Sequence, residues 1–164
     1  MSAQPSRGLL IAILIVSVAS LLLSATQLGI TLRSSASNPS TSTLPSRYSD
    51  EELRRIASSV TEPYNRDDID GLYKTFDDVA KNQITRQKVA DTVATLKSLV
   101  GNVDSATYEG FKALPHEGTL PVYQLNYSVK LSKSTLPNGT MQINVLDRSS
   151  GPGLVGFYVY GKTQ

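Results

Sequence analysis

The spacing of hydrophobic residues changes along this chain, and each change predicts a different kind of element. Residues 8–32 contain no charge, and as a helix they would extend about 37 Å at about 1.5 Å per residue. A bilayer core needs about 20 residues, so we predict a transmembrane helix over residues 8–32 after a cytoplasmic tail, residues 1–7. A cleaved signal peptide is the alternative. The leucines at positions 21–23 continue the apolar run past the best cleavage site, which favours a retained anchor.

The segment after the predicted span has the composition of a tether. Eight of the 15 residues from 33 to 47 are Ser or Thr, and two are Pro, which leaves too little apolar surface for packing. We predict a flexible linker over residues 33–47. The tail formed by residues 1–7 is short and contains no acidic residue. This favours an N-terminus in the cytoplasm and a domain, residues 48–164, outside it.

Helical periodicity begins at Tyr48 and predicts three helices. Ser49 is placed to cap the first helix, and Pro63 is placed to end it. Asn65 is placed to cap the second and Thr85 the third. Buried faces are predicted at Leu53, Ile56, Ala57 and Val60, then at Ile69, Leu72, Tyr73, Phe76, Val79 and Ala80, then at Val89, Ala90, Val93, Leu96, Leu99 and Val100.

After Gly101 hydrophobic residues recur at every second position, which predicts strands. Four are expected: residues 104–114 with a bulge near Gly110, residues 123–131, a partner that follows the hairpin signal Asn138-Gly139, and residues 153–164. The last strand is apolar on both sides, which predicts a central place in the sheet. Helices followed by antiparallel strands define an α+β domain.

This order of elements resembles a known superfamily. The helix from Asn65, the stretch ITRQKVADTVATLKSLVGNV and a meander ending in GLVGFYVYG are similar to the cystatin-like, cone-shaped superfamily typified by nuclear transport factor 2. More narrowly, the chain resembles small bacterial members of that superfamily that are anchored in the membrane or exported. The resemblance implies three helices in the concave face of a curved four-stranded antiparallel sheet, and the cytoplasmic (inner) membrane of a bacterium as the location.

Composition limits the chemistry. The chain has no Cys, all 14 acidic residues follow residue 47, and so do most of the 16 basic ones. There is no basic stripe of the kind that binds nucleic acid. His116 is the only His and lies between Pro115 and Gly118 in a predicted turn. We expect no catalytic constellation, metal site or cofactor.

The candidate recognition residues are aromatic. Interfaces are enriched in Tyr, and an interface or pocket is predicted at Tyr108, Tyr123, Tyr127, Phe157, Tyr158 and Tyr160. Small residues suited to helix packing in the bilayer are Ser20, Ser24, Ala25 and Gly29. We predict a binding or assembly module with a protein partner or a second copy of itself. The alternative is a small-ligand-binding or enzymatic cone, with a pocket for a small apolar ligand between helices and sheet.

Overall fold

The computed structural model describes residues 43–115 and 118–162. The predicted span, its small residues Ser20, Ser24, Ala25 and Gly29, most of the linker, and His116 lie outside these ranges. Within them, no helix combines the length and the apolar character needed to cross a bilayer.

The described domain has an α+β fold, as the sequence predicts. Four helices precede four strands: α1 Asp50–Asn65, α2 Ile69–Thr75, α3 Asp78–Lys81, α4 Arg86–Val100, β1 Val103–Leu114, β2 Val122–Leu131, β3 Asn138–Arg148 and β4 Gly151–Lys162.

Two of the predicted helix starts are confirmed and one is wrong. Ser49 accepts a hydrogen bond from the Glu52 N–H, and Thr85 accepts one from the Lys88 N–H. Asn65 does not cap the second helix. It is the last residue of α1, which runs through Pro63, and its side chain instead bonds to the backbone of Val103.

The second predicted helix is divided into α2 and α3, so the prediction of three helices is wrong. Phe76 is extended, and the N–H of Asp77 donates to the carbonyl of Leu154 at 2.7 Å. This bond to β4 replaces a helical one, and α3 starts afresh beyond it. Val79 is consequently 44% exposed, not buried as its spacing predicts. Leu99, at 38% exposure, lies beside the buried stripe of α4 rather than on it.

The sheet is a curved antiparallel meander in the order β1-β2-β3-β4, so the prediction of a central β4 is wrong. β4 is an edge strand whose apolar pattern comes from a bulge. Gly156 pairs with Asn144 but Leu154 pairs with Val145, which leaves Val155 as an extra residue. The bulge puts Leu154 on the same face as Phe157, so both sets of apolar residues can serve one core.

A second bulge lies in β1, where the sequence predicts it. Tyr108 pairs with Tyr127 and Gly110 pairs with Asn126, so Glu109 is the extra residue. Bulges increase the local twist and bend of a strand. The two bulges therefore add to the twist and bend of the two edge strands.

The hydrophobic core lies between the helices and one face of the sheet, the inner face. Leu125, Met141 and Ile143 at its centre are fully buried, as is Leu72 of α2. The opposite face, the outer face, carries polar residues of β2 and β3 that remain half-exposed.

Two consecutive residues at the end of β3 fasten the helical layer to the sheet. Arg47 donates two hydrogen bonds to the carboxylate of Asp147, and the Tyr48 hydroxyl donates a third at 3.0 Å. Arg148 donates two bonds, of 2.7 and 2.8 Å, to Asp77 at the α2–α3 break. The start of the domain and the middle of its helical layer are thus both tied to one corner of the sheet.

Candidate functional site

The six aromatic residues predicted to form an interface or pocket do not share one site. Two of them, Tyr158 and Tyr160, lie on the outer face of the sheet. The other four pair with inward-facing positions of neighbouring strands: Tyr108, Tyr123, Tyr127 and Phe157. The sheet therefore separates the predicted set into two groups.

The inner group packs in the core. Tyr127 is 1% exposed, and its hydroxyl donates to the carbonyl of Leu53 at 2.9 Å. Burial raises the pKa of Tyr127 above its ordinary value. Phe157 contacts the rings of Tyr64 and Phe76 at centroid distances of 6.3 and 6.4 Å. These contacts are those of structural side chains.

Tyr123 and Tyr108 complete the inner group at its rim. The Tyr123 ring meets Tyr48 and Phe111 edge-on, at 5.9 and 5.8 Å, and the Tyr108 ring meets Tyr127 at 5.6 Å. Edge-to-face contacts add packing energy beyond the buried area. Neither ring lines the groove beside α4 or the cavity beside α1 that are described below.

The outer group is a stacked pair of tyrosines. The rings of Tyr158 and Tyr160 lie 6.4 Å apart with an angle of 14° between their planes. The Tyr160 hydroxyl contacts Oε1 of Gln142 at 3.4 Å. Partial burial raises the pKa of both phenols, so both remain neutral hydrogen-bonding groups at physiological pH. Together they form a flat aromatic surface on the edge strand.

Amide side chains adjoin the tyrosine pair across the outer face. Asn126 of β2 pairs with Gln142 of β3, and Gln142 pairs with Tyr158 of β4. Oδ1 of Asn144 is buried and has no hydrogen-bond partner among the described residues. An unsatisfied buried acceptor raises the free energy of the folded protein. A partner molecule that donated a hydrogen bond to this oxygen would remove that cost.

The outer face carries positive charge only at its margin. The outward positions of β2, β3 and β4 include Lys130 and Lys162 and no carboxylate. Lys130 bonds to Asn138 at 2.6 Å, near the hairpin. A partner with acidic residues around a polar centre would therefore complement this surface.

A shallow groove adjoins the same strand at the sheet edge. It lies between α4 and β4, encloses about 40 Å³ and is lined by Phe76, Ile84, Lys88, Val89, Thr92, and residues 155–158. No sequence signal identifies it, because its two walls come from segments that only the fold brings together.

A larger cavity lies between α1 and the far end of the sheet. Ile56, Val145 and Leu154 form its apolar wall, Arg55, Ser59 and Thr75 are its polar lining, and its volume is about 210 Å³. Both hydroxyls donate to backbone carbonyls of their own helices, and Arg55 is paired with Glu52. Ligand pockets usually measure about 300–1,000 Å³, so this one suits only a very small ligand.

Several of the described acidic residues serve as helix caps or ion-pair partners. Asp68 accepts from the Gly71 N–H, and Asp70 pairs with Arg86. Within residues 43–115 and 118–162, no three His, Cys, Asp or Glu side chains are grouped as metal ligands.

Comparison with known proteins gives structural likeness at low sequence identity. No protein-family model and no curated protein matches the chain. Among solved structures, the chain is similar to Bdellovibrio bacteriovorus Bd1075 at 13% identity and a TM-score of 0.41. The match covers 68% of this chain and 41% of that protein, so the chain spans less than half of its length.

Proposed function

We propose that this protein is a membrane-anchored binding or assembly module that contacts a protein partner, or a second copy of itself, outside the cytoplasm. The stacked pair Tyr158–Tyr160 carries the proposal. It presents two aromatic rings beside a row of amides on a sheet face that the core does not use. Tyr is enriched at protein interfaces because one side chain supplies both apolar area and a hydrogen bond.

The proposal includes the cone-shaped, cystatin-like superfamily as the fold family. Helices against one face of a four-stranded antiparallel meander support it. It also includes residues 8–32 as a membrane span, with the domain on the outer side of a bacterial cytoplasmic membrane. The uncharged 8–32 stretch supports this. Protease added to spheroplasts should remove the domain and leave a short membrane-protected fragment, whereas release of intact soluble protein would contradict the anchor.

Site-specific cross-linking tests the binding role. A photoreactive amino acid at position 160 of the full-length chain, in its native membrane, should yield one or a few discrete adducts. The matched control position is Glu51, which is exposed at the start of α1. Identical adducts from both positions, or none from position 160, would contradict a specific interface. The adduct mass separates a second copy from a different protein.

A small-ligand-binding module is the second candidate, and the cavity beside α1 favours it. Its apolar wall and 210 Å³ volume suit a small apolar ligand, smaller than most cofactors. Native mass spectrometry of the full-length protein would show a bound mass under this hypothesis. Ser59→Leu, which fills the cavity, should abolish that mass and leave cross-linking at position 160 unchanged.

A further inference from the structure

The free edge of β4 already accepts a short extended segment at one end. Phe76 forms an isolated parallel bridge with Leu154, and the N–H of Asp77 donates to the Leu154 carbonyl at 2.7 Å. The chain then turns away into α3. Beyond Leu154, β4 continues to Lys162 with no further strand beside it among the described residues.

An unpaired strand edge presents backbone N–H and C=O groups that pair readily with another strand. β4 shows few of the features that protect such edges. Its bulge lies at Val155, near one end of the strand, and Lys162 is its only charged residue. In contrast, the opposite edge, β1, has irregularities at both Asp104 and Glu109. The edge of β4 is therefore the better acceptor of a new strand.

The groove beside this edge provides a place for a side chain. Ile84, Val89 and Phe157 give it an apolar floor, and Lys88 of α4 lies at its side. Its volume of about 40 Å³ equals roughly three water-sized positions, the size of a small aliphatic side chain. Lys88 is exposed and is the only charged residue that lines the groove.

We propose that an extended peptide segment of a partner protein adds to β4 as a fifth strand. Backbone hydrogen bonds to β4 provide affinity, and an aliphatic side chain enters the groove. A carboxylate of the same peptide pairs with Lys88. This inference rests on the proposed function, because it specifies the kind of protein segment that a β4-centred binding module takes.

The test uses the full-length protein in lipid nanodiscs and a phage-displayed library of random peptides of about six residues, the common length of a strand. The enriched peptides should alternate in hydrophobicity and carry a carboxylate. Absence of enrichment over empty nanodiscs overturns the proposal. So does displacement of the enriched peptides by a synthetic peptide of residues 33–46, which would make this chain's own linker the occupant.

N-methylation of the best peptide tests strand addition itself. A strand points alternate backbone N–H groups toward its neighbour, so methylation of one alternate set should weaken binding by about tenfold or more, as expected for the loss of two or more backbone hydrogen bonds. Methylation of the other set should have little effect. Equal effects of the two sets overturn the proposal.

Charge reversal tests the role of the groove. Lys88→Glu should weaken peptide binding by about tenfold. Lys112→Glu, the same change on exposed β1 at the opposite edge, is the matched control and should leave binding unchanged. Equal effects of the two variants overturn the proposal. If Lys88→Glu and Lys112→Glu affect peptide binding equally but position 160 still gives its adducts, the binding module is upheld and the edge is rejected as its peptide site, so the two failures are distinguishable.

Discussion

Arg47 donates two hydrogen bonds to Asp147, a carboxylate that is only 4% exposed and lies 100 positions further along the chain. A buried carboxylate without a partner is strongly destabilising. The pair therefore fixes the first residues of the domain to the corner of the sheet where β3 ends.

Removal of the guanidinium should lower the stability of the domain. Arg47→Met leaves Asp147 with the Tyr48 hydroxyl as its remaining side-chain partner, so we expect a clear decrease in the denaturation midpoint. The chain has eight Tyr and no Trp, so Tyr fluorescence of the full-length protein in detergent reports unfolding. Arg54→Met, at an exposed position of α1, is the control, and an equal decrease in both variants would show that the pair adds nothing.

Asn65 should contribute measurably to the junction between α1 and β1. Its Nδ2 donates to the Val103 carbonyl at 2.8 Å, and its Oδ1 accepts from the Val103 N–H at 3.0 Å. Loss of both bonds in Asn65→Ala should cost about 2 kcal/mol of unfolding free energy. Asn82→Ala, at the exposed end of α3, should cost much less. A difference below about 0.5 kcal/mol between them would contradict the role.

The Asp77–Arg148 pair should make stability depend on acid pH. The hydrogen bonds from Arg148 hold the pKa of Asp77 below its ordinary value. The ionised, paired form therefore stabilises the folded state fully above that ordinary value, and the contribution is lost as the pH falls through the lower folded-state pKa. Asp77→Asn should flatten the profile of unfolding free energy below about pH 4.

Arg148→Gln tests the cause of that dependence. It removes the partner and should flatten the same part of the profile as Asp77→Asn. The double variant should then show no additional change, because both substitutions abolish one interaction. Additive effects of the two single variants would instead assign the pH dependence to separate groups.

Deletion of Val155 should lower stability more than its truncation, through loss of the bend in β4. Without the extra residue, Leu154 would adjoin Gly156 and still oppose Val145 on the inner face, so no side chain changes face. The deletion removes both the contact of Val155 with the core and the local bend that a bulge introduces. Val155→Ala preserves the bulge and should cost about 1 kcal/mol. Similar denaturation midpoints for the two variants would mean that the bend itself does not contribute to stability.

Tyr160→Ser should separate stability from assembly. It removes one ring of the outer pair, which lies outside the core, so the denaturation midpoint should change by only a few degrees. The yield of cross-linked adducts should decrease strongly. In this experiment the photoreactive residue is at position 158. Tyr160→Phe retains the ring and should retain the adducts. Loss of adducts in both variants would point to the hydroxyl rather than the stacked ring.

Local chemistry made part of this fold predictable. Ser49 and Thr85 cap their helices by accepting a hydrogen bond from the backbone N–H three residues further along. The sequence predicts a hairpin turn at Asn138-Gly139, and this is wrong: both residues belong to β3 and pair with β2, and the connection is formed by residues 132–137. The other errors came from contacts between distant segments. The bond from Asp77 to Leu154 divides the second helix. The bulge at Val155 puts Leu154 on the core face together with Phe157, so the apolar residues on both sides of β4 do not require a central strand.

The candidate site was predictable only in part. The alternation along β2 indicates the inward face of Tyr123 and Tyr127. β4 is apolar on both sides, so its spacing does not tell whether Phe157 or the pair Tyr158 and Tyr160 faces the core. The groove depends on α4 meeting the free edge of β4. Sequence spacing gives neither relation, because neither follows from propensity within one element.

The position of Asp147 and Arg148 also sets an order for maturation. Every strand of the meander pairs with the next one in the chain, so the sheet can form progressively as the polypeptide emerges. The helices are made first, yet the residues that fasten them lie at the end of β3. The finished domain must therefore wait for nearly the whole chain, and a polypeptide truncated before β3 ends would hold its helices without either fastening and with their apolar faces open to chaperones and proteases.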